Sequence, residues 1–343
     1  MVPLAVLLAT CIPAAAGRGS DAPRAPDGRE PSRAATRPPE SFANVGYGPL
    51  TLPSQSPLQA LRFGLPPLPP SPLSRGHAEF SLGGTWVNVW AVKEFEYALD
   101  YEMLQSTIGV RYAIDETLQI QFEYSHRSRF GGRMDGLVQG FHDLAGLDQD
   151  GRDGRPRGDF AFVLGGREAA LRDDDRGSFS ESILVSIRRD LFPGTDVLPA
   201  VCVSATLRGD LRHDPGLDGP PIDAGLSLAA AKGLGAFYVY LGIGLAEYGD
   251  ESFRGMALRP RPFAVLAAIE WRFSDGMSLV LQYLASQGVA EDFRPFSRSS
   301  HELTLGWRGE TGGVALQLGL LENLFTFDNS PDFGVHLGAS FRL

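Results

Sequence analysis

FGVHLGASFRL, residues Phe333 to Leu343, alternates without a break. Phe333, Val335, Leu337, Ala339, Phe341 and Leu343 fall on one side of an extended strand, and Gly334, His336, Gly338, Ser340 and Arg342 fall on the other. One face is apolar and the other is not. Such a strand suits the wall of a soluble sandwich or of a membrane barrel, and the chain leading up to it decides between them.

From His77 onward the same period of two recurs in about twelve runs. LQIQFEYS (Leu118 to Ser125), SILVSIRR (Ser182 to Arg189), VLPAVCVSATLR (Val197 to Arg208) and GAFYVYLGIGLA (Gly235 to Ala246) are clear examples. None approaches the ~18 consecutive apolar residues of a spanning helix, and the uncharged stretch Gly233 to Ala246 is broken by glycine. The connections alternate in length. Short links fall at AIDET (Ala113 to Thr117), FPGT (Phe192 to Thr195), KGLG (Lys232 to Gly235), SDGM (Ser274 to Met277) and GETG (Gly309 to Gly312). Long ones fall at Phe130 to Gly177, Gly209 to Pro221, Gly249 to Leu258, Gly288 to Arg298 and Thr326 to Pro331. The first hairpin, near Lys93 to Glu96, departs from the rule with a brief loop. Short turns on one rim and long loops on the other are the connection pattern of an outer-membrane barrel, and they imply an even strand number with both ends of the wall at the short-turn rim. Tyr112, Trp271, Phe273 and Trp307, each just before a short turn, fit the headgroup level of a bilayer.

The expectation is an all-β chain folded as a single antiparallel up-and-down transmembrane β-barrel of about twelve strands over residues 77–343, with a disordered, Pro-rich N-terminal extension. Phe333 to Leu343 would then be the closing strand. Its alternation and large last residue resemble the signal read by the barrel-assembly machinery, with Leu343 where a Phe is usual. Composition agrees: 41 Gly, 5 Met and 2 Cys suit a Gly-rich β protein better than a helical bundle. A net charge of -10 without a basic stripe excludes a nucleic-acid binder, which has to neutralise phosphates.

Ahead of the barrel, residues 1–16 (MVPLAVLLATCIPAAA) read as an export signal, and Cys11 follows a faint lipoprotein-like box whose Thr10 is atypical. Cleavage after the Ala run would leave Cys202 alone, so no intramolecular disulfide is expected. Residues 17–48 hold too much Pro and charge to bury a core and form a linker. In residues 49–76 Leu and Phe are interleaved with Pro, which suggests extended chain docking on the barrel or plugging it.

Several stretches, among them PLTLPSQSPLQALRFG, TWVNVW, LDYEML, SRFGG, GFHDLAGLDQDGRD, RPFSRSSHELTLGW and ENLFTFDNSPDFGVHLGASFRL, resemble the domain-of-unknown-function 3187 family of bacterial envelope proteins. The likeness spans Gly48 to Leu343 and implies location and fold. It carries no catalytic or binding residue across, so function has to be argued from the interior.

The faces assigned inward are polar with both signs of charge: Glu123 and Arg127, Arg188, Arg208, Glu270 and Arg272, Glu302 and Arg308, and Arg342. They would either pair into a network closing the interior or line a path selecting small polar or charged solutes. In MDGLVQGFHDLAG, Met134, Leu137, Val138, Phe141 and Leu144 stand at helical spacing, which predicts a short amphipathic helix that constricts or caps the mouth or merely packs on the rim. Asp148, Asp150 and Asp153 suggest a cation loop, but Arg152 takes a ligand position and no Glu follows at the EF-hand distance; a solvated acidic turn is the better reading. His126 and Ser128 have the two-residue spacing of the catalytic pair of the outer-membrane phospholipase, with Ser299 and His301 in reverse order, yet neither an orienting acid nor an oxyanion donor can be placed. The function expected is a passive channel or solute-uptake barrel without a cofactor in the bacterial outer membrane, with outer-membrane lipids, the barrel-assembly machinery and a small solute as partners. A structural or assembly barrel is the alternative, and a lipid hydrolase the second.

Overall fold

The structure, a computed structural model, describes residues 46–64, 73–93, 96–146, 158–164, 176–212, 214, 216–294, 296–325 and 327–343. The strands are β1 Ala78–Lys93, β2 Tyr97–Ala113, β3 Leu118–Phe130, β4 Ala161–Leu164, β5 Gly177–Phe192, β6 Ala200–Arg212, β7 Leu217–Asp218, β8 Ile222–Leu234, β9 Phe237–Glu247, β10 Ser252–Phe253, β11 Met256–Ala257, β12 Phe263–Ser274, β13 Met277–Ser286, β14 Ser300–Thr311, β15 Val314–Asn323 and β16 Phe333–Arg342, with one helix, α1 Asp135–Ala145. Each long strand pairs antiparallel with its neighbour in the chain, and β1 pairs with both β2 and β16, so twelve strands close into a barrel. Closure gives every wall strand two hydrogen-bonded neighbours, which is what a backbone needs where water is absent. No described helix is long and apolar enough to cross a membrane.

The alternation read from the sequence sorts the wall into two faces. Leu82, Ile108, Leu241 and Leu337 point outward and are 51%, 58%, 55% and 59% exposed, whereas Thr85, Gln105, Arg127, Glu270 and His336 point inward and are buried. The apolar side is therefore outside, the reverse of a soluble barrel and the arrangement of a transmembrane one. Tyr112, Trp271 and Phe273 stand exposed on that outer face beside short turns.

β16 zips onto β1 over ten residue pairs, from Glu79 with Arg342 to Asn88 with Phe333, so the stretch FGVHLGASFR does close the ring. One expected boundary shifts. Val197 opens no strand: β6 begins at Ala200, and Val197 lies exposed in a turn pinned by the Thr195 hydroxyl, which accepts from the N–H of Val197 at 3.2 Å and of Leu198 at 2.9 Å.

Helix α1 forms where the 3.6 period predicts it, ending at Gly146 with φ 69°, a left-handed cap that glycine adopts without Cβ strain. Met134 and Val138 pack on Trp86, Phe333 and Val335. Trp86 and Val335 are cross-strand partners one residue from the interior pair Thr85 and His336, so they lie on the outer face of the wall. The helix thus sits outside the barrel on the long-loop rim, across the β1–β16 seam, and is not a constriction in the mouth. Nothing is described of residues 1–45, so the export signal and Cys11 lie outside the described residues, as do Asp148, Asp150 and Asp153.

Candidate functional site

Residues 46–64 are threaded through the interior. Arg62 is the sole charged side chain among them; the rest is GYGPLTLPSQSPLQAL before it and FG after it. Tyr47 lies at the short-turn end, where its N–H donates to Glu270 at 3.0 Å. The chain climbs past β14 to the long-loop rim, where Ser56 donates to Asn329 at 3.1 Å and Gln59 to the carbonyl of Gln287 at 3.0 Å. It turns in a 3-10 turn at Gln59–Leu61. By Gly76, whose N–H donates to the Ala113 carbonyl at 2.9 Å, it is back at the short-turn rim to start β1.

Most of the inward charges read from the sequence hold this segment. Arg308 donates to the carbonyls of Gly48 at 2.8 Å and Pro49 at 3.0 Å. Glu302 accepts from the Gln55 N–H at 2.9 Å and from the Ser54 hydroxyl. Arg127 donates to the Ala60 carbonyl at 2.6 Å, and Arg208 to that of Leu61 at 3.4 Å. Glu270 also accepts from Tyr240, and Arg272 donates to the Tyr47 hydroxyl at 2.9 Å with its guanidinium 4.3 Å from the Tyr47 ring. Neither of the two expected arrangements, Glu/Arg pairs or a bare path, describes these groups. Glu123 accepts from Gln121 at 3.4 Å and lines the open part of the lumen.

Toward the short-turn rim the charges do pair with one another. Arg111 and Arg342 share Glu79 at 2.8 and 2.7 Å, Arg342 reaches Glu310 at 3.1 Å, and Arg188 meets Asp190 at 3.1 Å. Between this tier and the segment lies a cavity of about 120 Å³ lined by Arg111, Glu123, Arg127, Gln105 and Ser182. Polar and charged side chains reach it from several strands, with Val110, Leu184 and Ala315 between them.

At the long-loop end the segment is sealed. Arg62 is buried against Asp223 and Asp250 with Asp210 at 3.6 Å, and Arg208 joins the cluster at 2.5 Å from Asp210 and 3.1 Å from Asp223. Tyr248, whose hydroxyl donates to the Phe63 carbonyl at 3.2 Å, stands 5.5 Å beneath the Arg62 guanidinium. Burial, and next the Asp223 carboxylate, push that hydroxyl well above the usual phenol range, so it stays a donor. Leu50, Leu52, Leu58, Leu61 and Phe63 of the segment join Tyr97, Phe253, Met256 and Phe296 in one apolar core. Each such side chain buried stabilises the seated segment by about 1.5–3 kcal/mol. Leu50 lies over Gly306 and Gly319, and Phe63 over Gly225; a Cβ at Gly306 or Gly225 would overlap them.

Sequence reasoning missed Arg62, Asp210, Asp223, Asp250 and Tyr240. A signal was present in Arg62, a lone charge in an uncharged Pro/Leu stretch, which is either exposed or matched by acids from elsewhere. His126 and Ser128 stand half-exposed on the outer face of β3, and among the described residues no hydrogen bond joins them. His301 instead stacks on Tyr283, with 2.6 Å between its Nδ1 and the Tyr283 hydroxyl. Of the described groups that can ligate a metal, His142, Glu322 and Asp332 bring donor atoms within 4.8 Å of one another beneath α1.

The family model described as a protein of unknown function (DUF3187) matches residues 35–343. A search of curated proteins finds no match. Among solved structures the chain is similar to the COG4313 outer membrane channel from Pseudomonas putida F1, at 13% identity and a TM-score of 0.51 over 79% of this chain and 97% of that one. It is also similar to the outer membrane protein Omp33 of Acinetobacter baumannii, at 12% identity and a TM-score of 0.37 over 78% and 98%. At such identities the first likeness bears on the fold alone.

Proposed function

Because this chain belongs to the DUF3187 family and folds as an outer-membrane β-barrel, we propose that it is a channel of the bacterial outer membrane, exported by residues 1–16 and closed at its outer end by residues 46–64. The observation that carries this reading is the segment itself. It fills the interior with contacts to wall charges and leaves beneath it a cavity into which Arg111, Glu123 and Arg127 reach, so its withdrawal would leave a charged, water-accessible path. The outer apolar face supports membrane residence, with lipids as its solvent and β16 as the segment presented to the assembly machinery. Support for a channel also comes from the likeness to the Pseudomonas channel, which shares the fold.

Planar-bilayer recording tests this. The intact protein should be silent or open briefly, deletion of residues 17–76 should give a steady conductance, and Glu302→Gln or Arg308→Gln should raise the opening frequency of the full chain. The buried Arg62 cluster favours a second reading, a structural barrel whose segment never leaves. If neither the intact nor the shortened protein conducts while both migrate as folded barrels on unheated gels, that reading replaces the first.

A further inference from the structure

Charged groups of the wall meet the main chain of the segment at several points along its length. Glu270 and Glu302 accept from backbone N–H groups of Tyr47 and Gln55, while Arg308, Arg127, Arg208 and Tyr248 donate to backbone carbonyls along residues 48–63. Carboxylates stand where the chain offers N–H and guanidiniums where it offers C=O. Charge-assisted bonds of this kind are stronger than neutral ones, and the groups they read are common to every peptide. Side chains of the segment are met as well, Tyr47 by Arg272, Ser54 by Glu302, Gln55 by Gln105, Ser56 by Asn329, Leu50 by the gap over Gly306, Phe63 by that over Gly225 and Arg62 by its aspartates, so a foreign peptide would keep the main-chain bonds and lose these. Prolines at 49, 53 and 57 keep the climbing arm extended, which lowers the entropy lost on seating.

Neither Arg127 nor Arg308 has a carboxylate within ion-pair distance among the described residues; each is met by segment carbonyls. Water could hydrate both if the segment left, but a peptide carbonyl restores the bonds they now make. A bare anion would satisfy the arginines and offer Glu302 no donor, and a sugar would offer it hydroxyls without the alternating N–H and C=O of an extended chain that the wall now meets; Glu270 keeps the Tyr240 hydroxyl in every case.

We propose that this wall is a binding track for extended peptides and that residues 46–64 are its tethered occupant. The inference deepens the channel reading by naming its solute class, since a peptide displacing the segment from the cavity side would occupy the path that the segment vacates.

The test is occupancy of the track in the full chain. Ser56 is fully buried in the seated segment, so maleimide labelling of Ser56→Cys reports departure of the segment, and unheated gel migration reports an intact barrel. Two 19-residue synthetic peptides are added up to roughly millimolar, the range a short tether supplies: one with the sequence of residues 46–64, and one with the same prolines and apolar positions but the other side chains exchanged. Both should accelerate labelling about tenfold, saturably and within threefold of each other, in the wild-type background or in Arg62→Gln, and a linear oligosaccharide of equal length should not. Acceleration by the native sequence alone would mark a private seat and overturn the proposal. So would no acceleration in either background, with Arg308→Gln as the control that labels faster unaided. Labelling needs no ion flow, so a barrel that never conducts can still satisfy this test, and a channel indifferent to peptides can fail it.

Discussion

Arg62 is the cation that three carboxylates of the long-loop rim have in common, two of which Arg208 shares. Removing one partner of a buried ionic cluster leaves the others desolvated without compensation, at a cost of about 3–5 kcal/mol. Arg62→Ala should therefore lower the temperature at which the gel-shifted barrel form is lost and expose the segment to trypsin. Arg62→Lys should fall between, since an ammonium cannot bridge Asp223 and Asp250 with a planar fork. Arg62→Ala with unchanged trypsin resistance would show that the apolar core alone holds the mouth shut. The sequence marked this residue by isolation and hid its partners, since Asp210, Asp223 and Asp250 come together only when β6, β8 and the chain after β9 are rolled side by side.

Elements here are specified locally and placed globally. Helix α1 has a continuous helical period, yet its address on the outer face of the seam depends on Glu102 of β2, which accepts from the N–H groups of Arg133 and Met134 and from the Trp86 indole at 2.7 Å. A carboxylate from a strand thus anchors the chain at the N-cap residue and the one before it, at the helix end where the dipole favours negative charge. Glu102→Gln should keep the helix attached more weakly, and Glu102→Ala should release it at a local cost of about 1–3 kcal/mol. Hydrogen exchange over residues 135–145 should then quicken while exchange in β3 and β5 stays slow. Equal acceleration throughout would mean that α1 is part of the barrel's cooperative unit.

At the scale of the whole molecule the barrel and its occupant are separable designs. Wall glycines at 225 and 306 clear space for Phe63 and Leu50. Gly306→Val should leave strand pairing intact, since valine suits a strand, while overpacking against Leu50 costs the seated segment about 1–3 kcal/mol. With Ser56→Cys as the reporter, maleimide labelling should rise roughly five- to hundredfold, the factor that this cost implies, with the unheated gel mobility unchanged. Faster labelling together with loss of the gel-shifted form would show that the barrel does not close without its segment.

The period of two, the alternation of short turns with long loops and the apolar outer face were fixed by residue order, because each depends on neighbours one or two positions apart or on loop length. That is why strand number and closure by Phe333–Arg342 were legible in the sequence, along with which charges share a face of their strand. What those charges meet was not. A strand pattern gives the side of the wall on which a group points and says nothing of what stands opposite it. Pairing Arg308 with Gly48, residues 260 apart in sequence, took closure of the whole barrel around the chain that precedes it.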